Sequence, residues 1–240
     1  MGEKFYKEIE IAPSRADATG KMGFADCFDL FMDMASEHAG SLGVGLNDLG
    51  RMGQFWLTVK SKVVFKRRPM ISEKVTISTW PESNNGGKVY RCYEIARGSE
   101  TLALGKTEWA VFDLNTGRPV VVDDLYPQEY NVIDDRTVGM TFNRITGEFP
   151  EEAFATYKVN ANDIDLGQHM NNVAYIRALQ SLYTVDEWKR ISPLEIEIQY
   201  RKPCFEGETI EFRKKIEGDS LIVQGRVGDK VVALYKLVIC

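Results

Sequence analysis

The sequence predicts an α+β protein built of two tandem units, each a long helix wrapped by an antiparallel sheet. Three observations lead there. Apolar residues recur at three- and four-residue spacing over residues 24–42 and again over 172–183, as in a helix with one buried face. Short alternating runs bounded by Gly, Asn, Asp and Pro follow each helix, which is how the strands of an antiparallel meander read. One alternating strand in each half ends in two basic residues and a proline, Arg67-Arg68-Pro69 and Arg201-Lys202-Pro203, so the order of elements repeats.

In chain order, residues 5–11 form a short strand and 16–23 a turn-rich approach to the first helix. That helix carries Phe24, Phe28, Phe31, Ala35, His38 or Ala39, and Leu42 on its apolar stripe, with Gly43 as a left-handed cap. Leu57, Val59, Ser61, Val63 and Phe65 then alternate with polar neighbours, the period of a half-exposed strand. Strands at 74–79, 88–96 and 103–113 follow, and Asn115-Thr116-Gly117-Arg118 turns the last of them back into 119–122. The polar, Gly-containing stretch 131–152 reads as a linker between a first domain at 1–130 and a second at 153–240. The second domain opens with a strand near 154–159, passes an Asp-containing turn into its helix, and ends in strands at 194–200, 209–216, 221–227 and 231–239, with Gly228-Asp229 as a tight turn. In this alignment of the halves, Lys21-Met22-Gly23-Phe24 stands where the second copy has Gln168-His169-Met170-Asn171.

At 240 residues the chain is long enough to bury a substantial core in each half. Its net charge of −5 argues against nucleic acid, which needs a concentrated positive footprint. The N-terminal residues lack the apolar core of a signal peptide and the character of a transit peptide, and no apolar run is long enough to span a bilayer, so a cytoplasmic protein without membrane attachment is expected. Cys27, Cys92, Cys204 and Cys240 are scattered, with no spacing that suits a metal or a disulfide framework. No Gly-rich phosphate loop follows a strand. No cofactor and no metal are expected.

The chemistry gathers before the second helix. Asp163, Asp165 and His169 stand close together there, and Asn171 or Asn172 can cap the helix by accepting from its unpaired amides. Carboxylate, imidazole and helix-end N–H groups supply a base or nucleophile and donors for a developing oxyanion, although an Asp before a helix or a single His is also an ordinary structural residue. The pattern Asp-x-Asp-x-x-x-His-x-Asn-Asn-x-x-Tyr from Asp163 to Tyr175, followed by Glu197-Ile198-Gln199-Tyr200-Arg201-Lys202-Pro203-Cys204, resembles the acyl-acyl carrier protein thioesterases of plants and bacteria.

That resemblance covers most of the chain and implies a double hotdog fold and hydrolysis of fatty acyl-acyl carrier protein in fatty acid biosynthesis. It implies roles for Asp165 and His169, and for an Asn at the position where this chain has Gly167, which can contribute only backbone. It also points to a Glu-Cys pair where this chain has Pro203-Cys204, leaving Glu206 and Glu208 as nearby carboxylates. Cys204 reads either as a nucleophile or as a small apolar residue lining the site, the latter favoured because an unactivated thiol is mostly protonated. The family places the acyl chain in the N-terminal half, which makes Phe24, Phe28, Phe31 and Met34 candidates for lining its pocket, with Asn171 and Asn172 as substrate contacts. Lys60, Lys62 and Lys66 alternate on one strand and form either a solvated face or a docking stripe for an acidic carrier protein. Two other activities stay open on this scaffold, acyl-coenzyme A hydrolysis and non-hydrolytic acyl binding. A monomer or a homodimer is compatible with a tandem repeat.

Overall fold

A computed structural model describes residues 4–82, 88–120 and 140–239. The chain divides into two compact units, Met1–Thr141 and Phe142–Cys240. The first contains β1 (Phe5–Glu10), α1 (Phe24–Ser41), α2 (Leu46–Arg51), β2 (Gln54–Phe65), β3 (Lys74–Pro81), β4 (Val89–Arg97), β5 (Glu100–Asp113) and β6 (Arg118–Val120). The second contains β7 (Ala155–Lys158), α3 (Asn172–Ser181), α4 (Val185–Ile191), β8 (Glu195–Tyr200), β9 (Thr209–Glu217), β10 (Ser220–Val227) and β11 (Lys230–Val238).

Every strand pair described within a unit is antiparallel. The first sheet runs β1-β3-β4-β5-β2, with β6 on β5, and the second runs β7-β9-β10-β11-β8. Taken from each unit's first strand, these are the same order. The repeat expected from the basic strand ends is thus a repeat of topology, with β6 as the addition in the first copy.

The helix α1 buries Phe24, Phe28, Phe31 and Met34, each at most 2% exposed. Phe31 stacks on Tyr93 of β4 with ring centroids 4.6 Å apart, and Phe24 meets Phe65 of β2 edge-on. Gly105 of β5 permits this approach, because a Cβ there would overlap the Phe31 ring. Gly43 takes the left-handed conformation (φ 72°) just past the helix, as its position after the apolar stripe predicts.

Several elements differ from expectation. The 44–54 and 184–192 stretches contain the short helices α2 and α4, which the periodicity did not reveal because each is under two turns. A signal for α4 was present: Thr184 and Glu187 form a reciprocal capping box. Of the stretch read as a linker, residues 131–139 lie outside the described residues, whereas residues 143–149 pack on the second unit. There Asn143 donates its amide to the buried Glu197 carboxylate at 3.0 Å, and Ile145 and Phe149 cluster with Ile222 and Leu234. Among the described residues no helix is long and apolar enough to cross a membrane.

Candidate active site

The turn before α3 is built by local hydrogen bonds. Ile164 and Met170 form an antiparallel bridge. Inside it the Asp165 amide donates to the His169 carbonyl at 3.1 Å, and the Gln168 amide to the Asp165 carbonyl at 3.0 Å. Gln168 takes up the left-handed conformation (φ 60°) that closes the turn. Asn171 is the N-cap, its side-chain oxygen accepting from the Val173 amide at 2.8 Å. Asn172 begins the helix, and its carbonyl accepts from the Tyr200 hydroxyl at 3.0 Å.

The two carboxylates ahead of the helix have different fates. Asp163 is buried and accepts from the Tyr157 hydroxyl, 3.0 Å from each carboxylate oxygen, and from the Asn160 amide at 2.9 Å. Its lone pairs are used in holding the preceding turn. Asp165 keeps 30% of its side chain exposed, with one internal bond, from the Gly167 amide to Oδ1 at 2.8 Å. The backbone N–H of Gly167, expected as a donor to substrate, is therefore engaged by Asp165.

His169 lies beside Asp165, 33% exposed, with Nδ1 3.8 Å from Asp165 Oδ1 and 3.4 Å from the Met170 carbonyl. Both side chains bear on the space over Gly167. A Cβ at that position would lie 2.8 Å from His169 Nε2 and 3.0 Å from Asp165 Oδ1. The missing side chain is thus what leaves room for imidazole and carboxylate to share one small, solvent-reachable volume.

Cys204 is brought to this turn by the Met170 amide, which donates to the Cys204 carbonyl at 2.8 Å. Its thiol is fully buried, and burial pushes it up to about 11 against a smaller opposing effect of the Tyr175 hydroxyl. Such a thiol is protonated at neutral pH, which speaks against a nucleophile and for the packing reading. Tyr175 ties the strand end down, accepting from the Cys204 amide at 3.1 Å and donating to the Lys202 carbonyl at 3.3 Å. The sequence pattern included Tyr175 without showing this role. Glu206 is exposed on the following turn, and Glu208 accepts from the Phe205 amide at 2.8 Å.

Other expected site residues sit elsewhere. Phe24, Phe28 and Phe31 are buried in the core of the first unit, and Met34, also buried, borders a separate polar cavity with Lys7, Asp33 and Glu37; a cavity of about 210 Å³ beside α1 is lined by the neighbouring helix face, Met32, Ala35, Ser36 and Ala39, with Leu46, Trp56, Val89, Arg91 and Trp109. The open basic stripe on β2 does not form. Lys60 pairs with Glu108 at 3.3 Å, Lys62 is buried and donates to the Thr141 carbonyl at 2.9 Å, and of the three only Lys66 is exposed. The register from Lys60 to Phe65 is unbroken, so the alternation holds; pairing and burial, not register, close the stripe. Among the described residues no three His, Cys, Asp or Glu side chains gather as a metal site requires.

The first unit holds a copy of the same turn. Ala16 bridges Met22, the Asp17 amide donates to the Lys21 carbonyl at 2.9 Å, and the Gly20 amide to the Asp17 carbonyl at 3.0 Å. Asp17 therefore corresponds to Asp165, Thr19 to Gly167 and Lys21 to His169, one residue away from the alignment read off the sequence. The strand ends slide likewise: the Met22 amide donates to the Pro69 carbonyl, as Met170 does to Cys204, which sets Arg68 opposite Pro203.

The chain has the double hotdog fold. The acyl-ACP thioesterase from Bacteroides thetaiotaomicron superposes with a TM-score of 0.85 at 19% identity, covering 99% of this chain and 98% of that one. The 12:0-ACP thioesterase from Umbellularia californica superposes with a TM-score of 0.81 at 14% identity, covering 98% and 96%. Residues 2–130 match the acyl-ACP thioesterase N-terminal domain and residues 148–232 the acyl-ACP thioesterase C-terminal domain, so the chain belongs to the acyl-ACP thioesterase family. It is 22% identical to an acyl-[acyl-carrier-protein] hydrolase of Cuphea viscosissima over 88% of this chain and 54% of the relative. Against the oleoyl-acyl carrier protein thioesterase of Coriandrum sativum the figures are 25%, 76% and 54%. The chain spans about half the length of these two relatives.

Proposed function

We propose that this chain hydrolyses fatty acyl-acyl carrier protein to free fatty acid and carrier protein, with Asp165 and His169 carrying the reaction. The supporting observation is the convergence of Asp165 Oδ1 and His169 Nε2 over Gly167, both a third exposed and neither enclosed by other side chains of the turn. Membership of the thioesterase family supports the reaction class.

A water donating to both acceptors has its lone pair directed outward, toward the thioester carbonyl carbon. In this scheme His169 is the tautomer that carries its proton on Nδ1, 3.4 Å from the Met170 carbonyl, which makes Nε2 the basic nitrogen. Water attacks, a C–O bond forms and its proton passes to Nε2. The carbonyl oxygen takes up the electron pair of the C=O bond, and collapse of the tetrahedral species breaks the C–S bond. The imidazolium then returns the proton to the departing sulfur. Asp165 orients the water and lies 3.8 Å from the imidazole Nδ1, where its carboxylate stabilises the imidazolium. Cys204 forms no covalent intermediate in this scheme.

The test is thiol release from a panel of acyl carrier protein and coenzyme A thioesters. Carrier-bound substrates are expected to be cleaved, with Asp165→Asn and His169→Ala each slowing release by roughly 100- to 10,000-fold. Release at the parental rate from Asp165→Asn would remove the site assignment, and no release from any thioester would leave acyl binding as the activity.

A further inference from the structure

The cavity beside α1 is apolar on most of its wall, formed by Ala35, Ala39, Leu46, Val89 and the edge-to-face pair Trp56 and Trp109, yet a guanidinium closes one side of it. Arg91 is 96% buried by its 4% residual exposure. Its described hydrogen bonds both leave from Nη1 and both reach neutral groups, His38 Nδ1 at 3.0 Å and Thr79 Oγ1 at 3.4 Å. Burial and the neighbouring guanidinium hold His38 down to about 4, so the imidazole is an uncharged acceptor. Among the described residues no carboxylate pairs with Arg91, and Nε and Nη2 make no hydrogen bond. Nε and Nη2 are not among the buried polar atoms without a partner, which leaves them facing the open space of the cavity, where an anion or strong acceptor is within reach of donors set in a mostly apolar wall. For an ordinary alkyl chain a Leu or Met would complete the wall better.

We propose that this cavity takes an aliphatic chain bearing an oxygen acceptor near its far end, a hydroxyl, oxo or carboxylate group, which Arg91 binds. The proposal deepens the thioesterase reading by naming its substrate class as oxygenated acyl chains. The aromatic and aliphatic wall holds methylenes, and the unused Arg91 donors read the oxygen. At about 210 Å³ the space suits one slender chain and is below the roughly 300 Å³ at which sites for larger organic ligands begin.

Binding and turnover give separate readouts. Because Trp56 and Trp109 line the cavity, tryptophan fluorescence reports occupancy by octane and by octan-1-ol, which differ in a single terminal oxygen. Octan-1-ol is expected to bind about 10-fold more tightly, the lower end of what a hydrogen bond to a charged donor confers. Arg91→Met should erase that preference, and Arg91→Lys should keep part of it while retaining charge. Equal binding of the two probes by the parental protein, which needs no variant to fold, overturns the proposal, as does a preference that survives Arg91→Met. Discriminating binding without thioester cleavage would sink the hydrolase reading and leave this site standing; cleavage without discrimination would do the reverse.

Discussion

The turn of the first unit and the turn of the second share a backbone and differ in what fills them. In the first, Arg68 reaches across the turn, pairing with the Asp17 carboxylate, donating to the Met22 carbonyl at 2.9 Å and lying over the Phe24 ring. Thr19 adds a hydroxyl to the same carboxylate at 2.6 Å and its amide at 2.8 Å. Burial alone would raise the Asp17 pKa, but Thr19 and Arg68 outweigh it and hold the group below its ordinary value. In the second, Pro203 stands where Arg68 would be, Gly167 where Thr19 would be, and His169 where Lys21 would be. The Asp165 carboxylate is left with one internal bond and an imidazole beside it. The same hydrogen-bonded loop is thus a buttress when its carboxylate is saturated and a candidate reaction centre when it is not.

The largest expected effect comes from breaking the buttress. Arg68→Ala leaves Asp17 partly buried without its cation and should cost about 3 kcal/mol of stability, read by urea unfolding at pH 7. The pH dependence has a definite sign. A carboxyl whose folded pKa is depressed stabilises the fold above its unfolded pKa, and that contribution disappears as pH falls through the folded value. The gap between the parental protein and Arg68→Ala should therefore be widest near neutrality and narrow in acid below the ordinary carboxyl range. A gap that is constant with pH would show that Arg68 acts through packing on Phe24 instead.

Next comes the converse change. Pro203→Arg places a guanidinium where the first unit has one, and its pairing with Asp165 should lower thioester hydrolysis by roughly 100-fold, as loss of a single well-placed polar group does. Stability should change by no more than about 0.5 kcal/mol, since position 203 is exposed. Unaltered turnover would mean that the correspondence between Arg68 and Pro203 is not one of function.

A smaller effect is expected at Gly167. Its backbone φ is not left-handed, so a side chain costs no backbone strain, but the Cβ of Gly167→Ala would displace His169 Nε2 and Asp165 Oδ1, both tips of partly exposed side chains. Those tips can swing outward, leaving stability nearly unchanged while loosening the convergence. A rate loss of about 10-fold is expected, since misplacement by an ångström is costly in catalysis. Parental kcat/KM in this variant would show that the two groups need not share the space over residue 167. Smallest of all should be Cys204→Ala, with turnover within about 3-fold of parental for a neutral buried thiol that does no covalent chemistry. Folded but inactive protein would restore the thiol mechanism.

The sequence by itself determined the order of the two long helices and the main strands, the duplication, and the neighbourhood of Asp165, His169 and the Asn171 cap. Those are properties of short stretches: period, turn chemistry and caps act over a few residues and are written where they act. Tertiary structure decided the rest. Only the hydrogen bonds from Met22 to Pro69 and from Met170 to Cys204 show that the two halves align one residue away from where their prolines suggest. Only the fold brings Arg68 onto Asp17 from 51 positions away. The helix α1 offers two adjoining apolar faces, and periodicity cannot tell a face pressed on a sheet from one that borders a cavity. Gly105 decided it, because the gap left by one missing Cβ on β5 draws the Phe31 ring into the core and leaves Ala35, Ala39 and Arg91 around the open space.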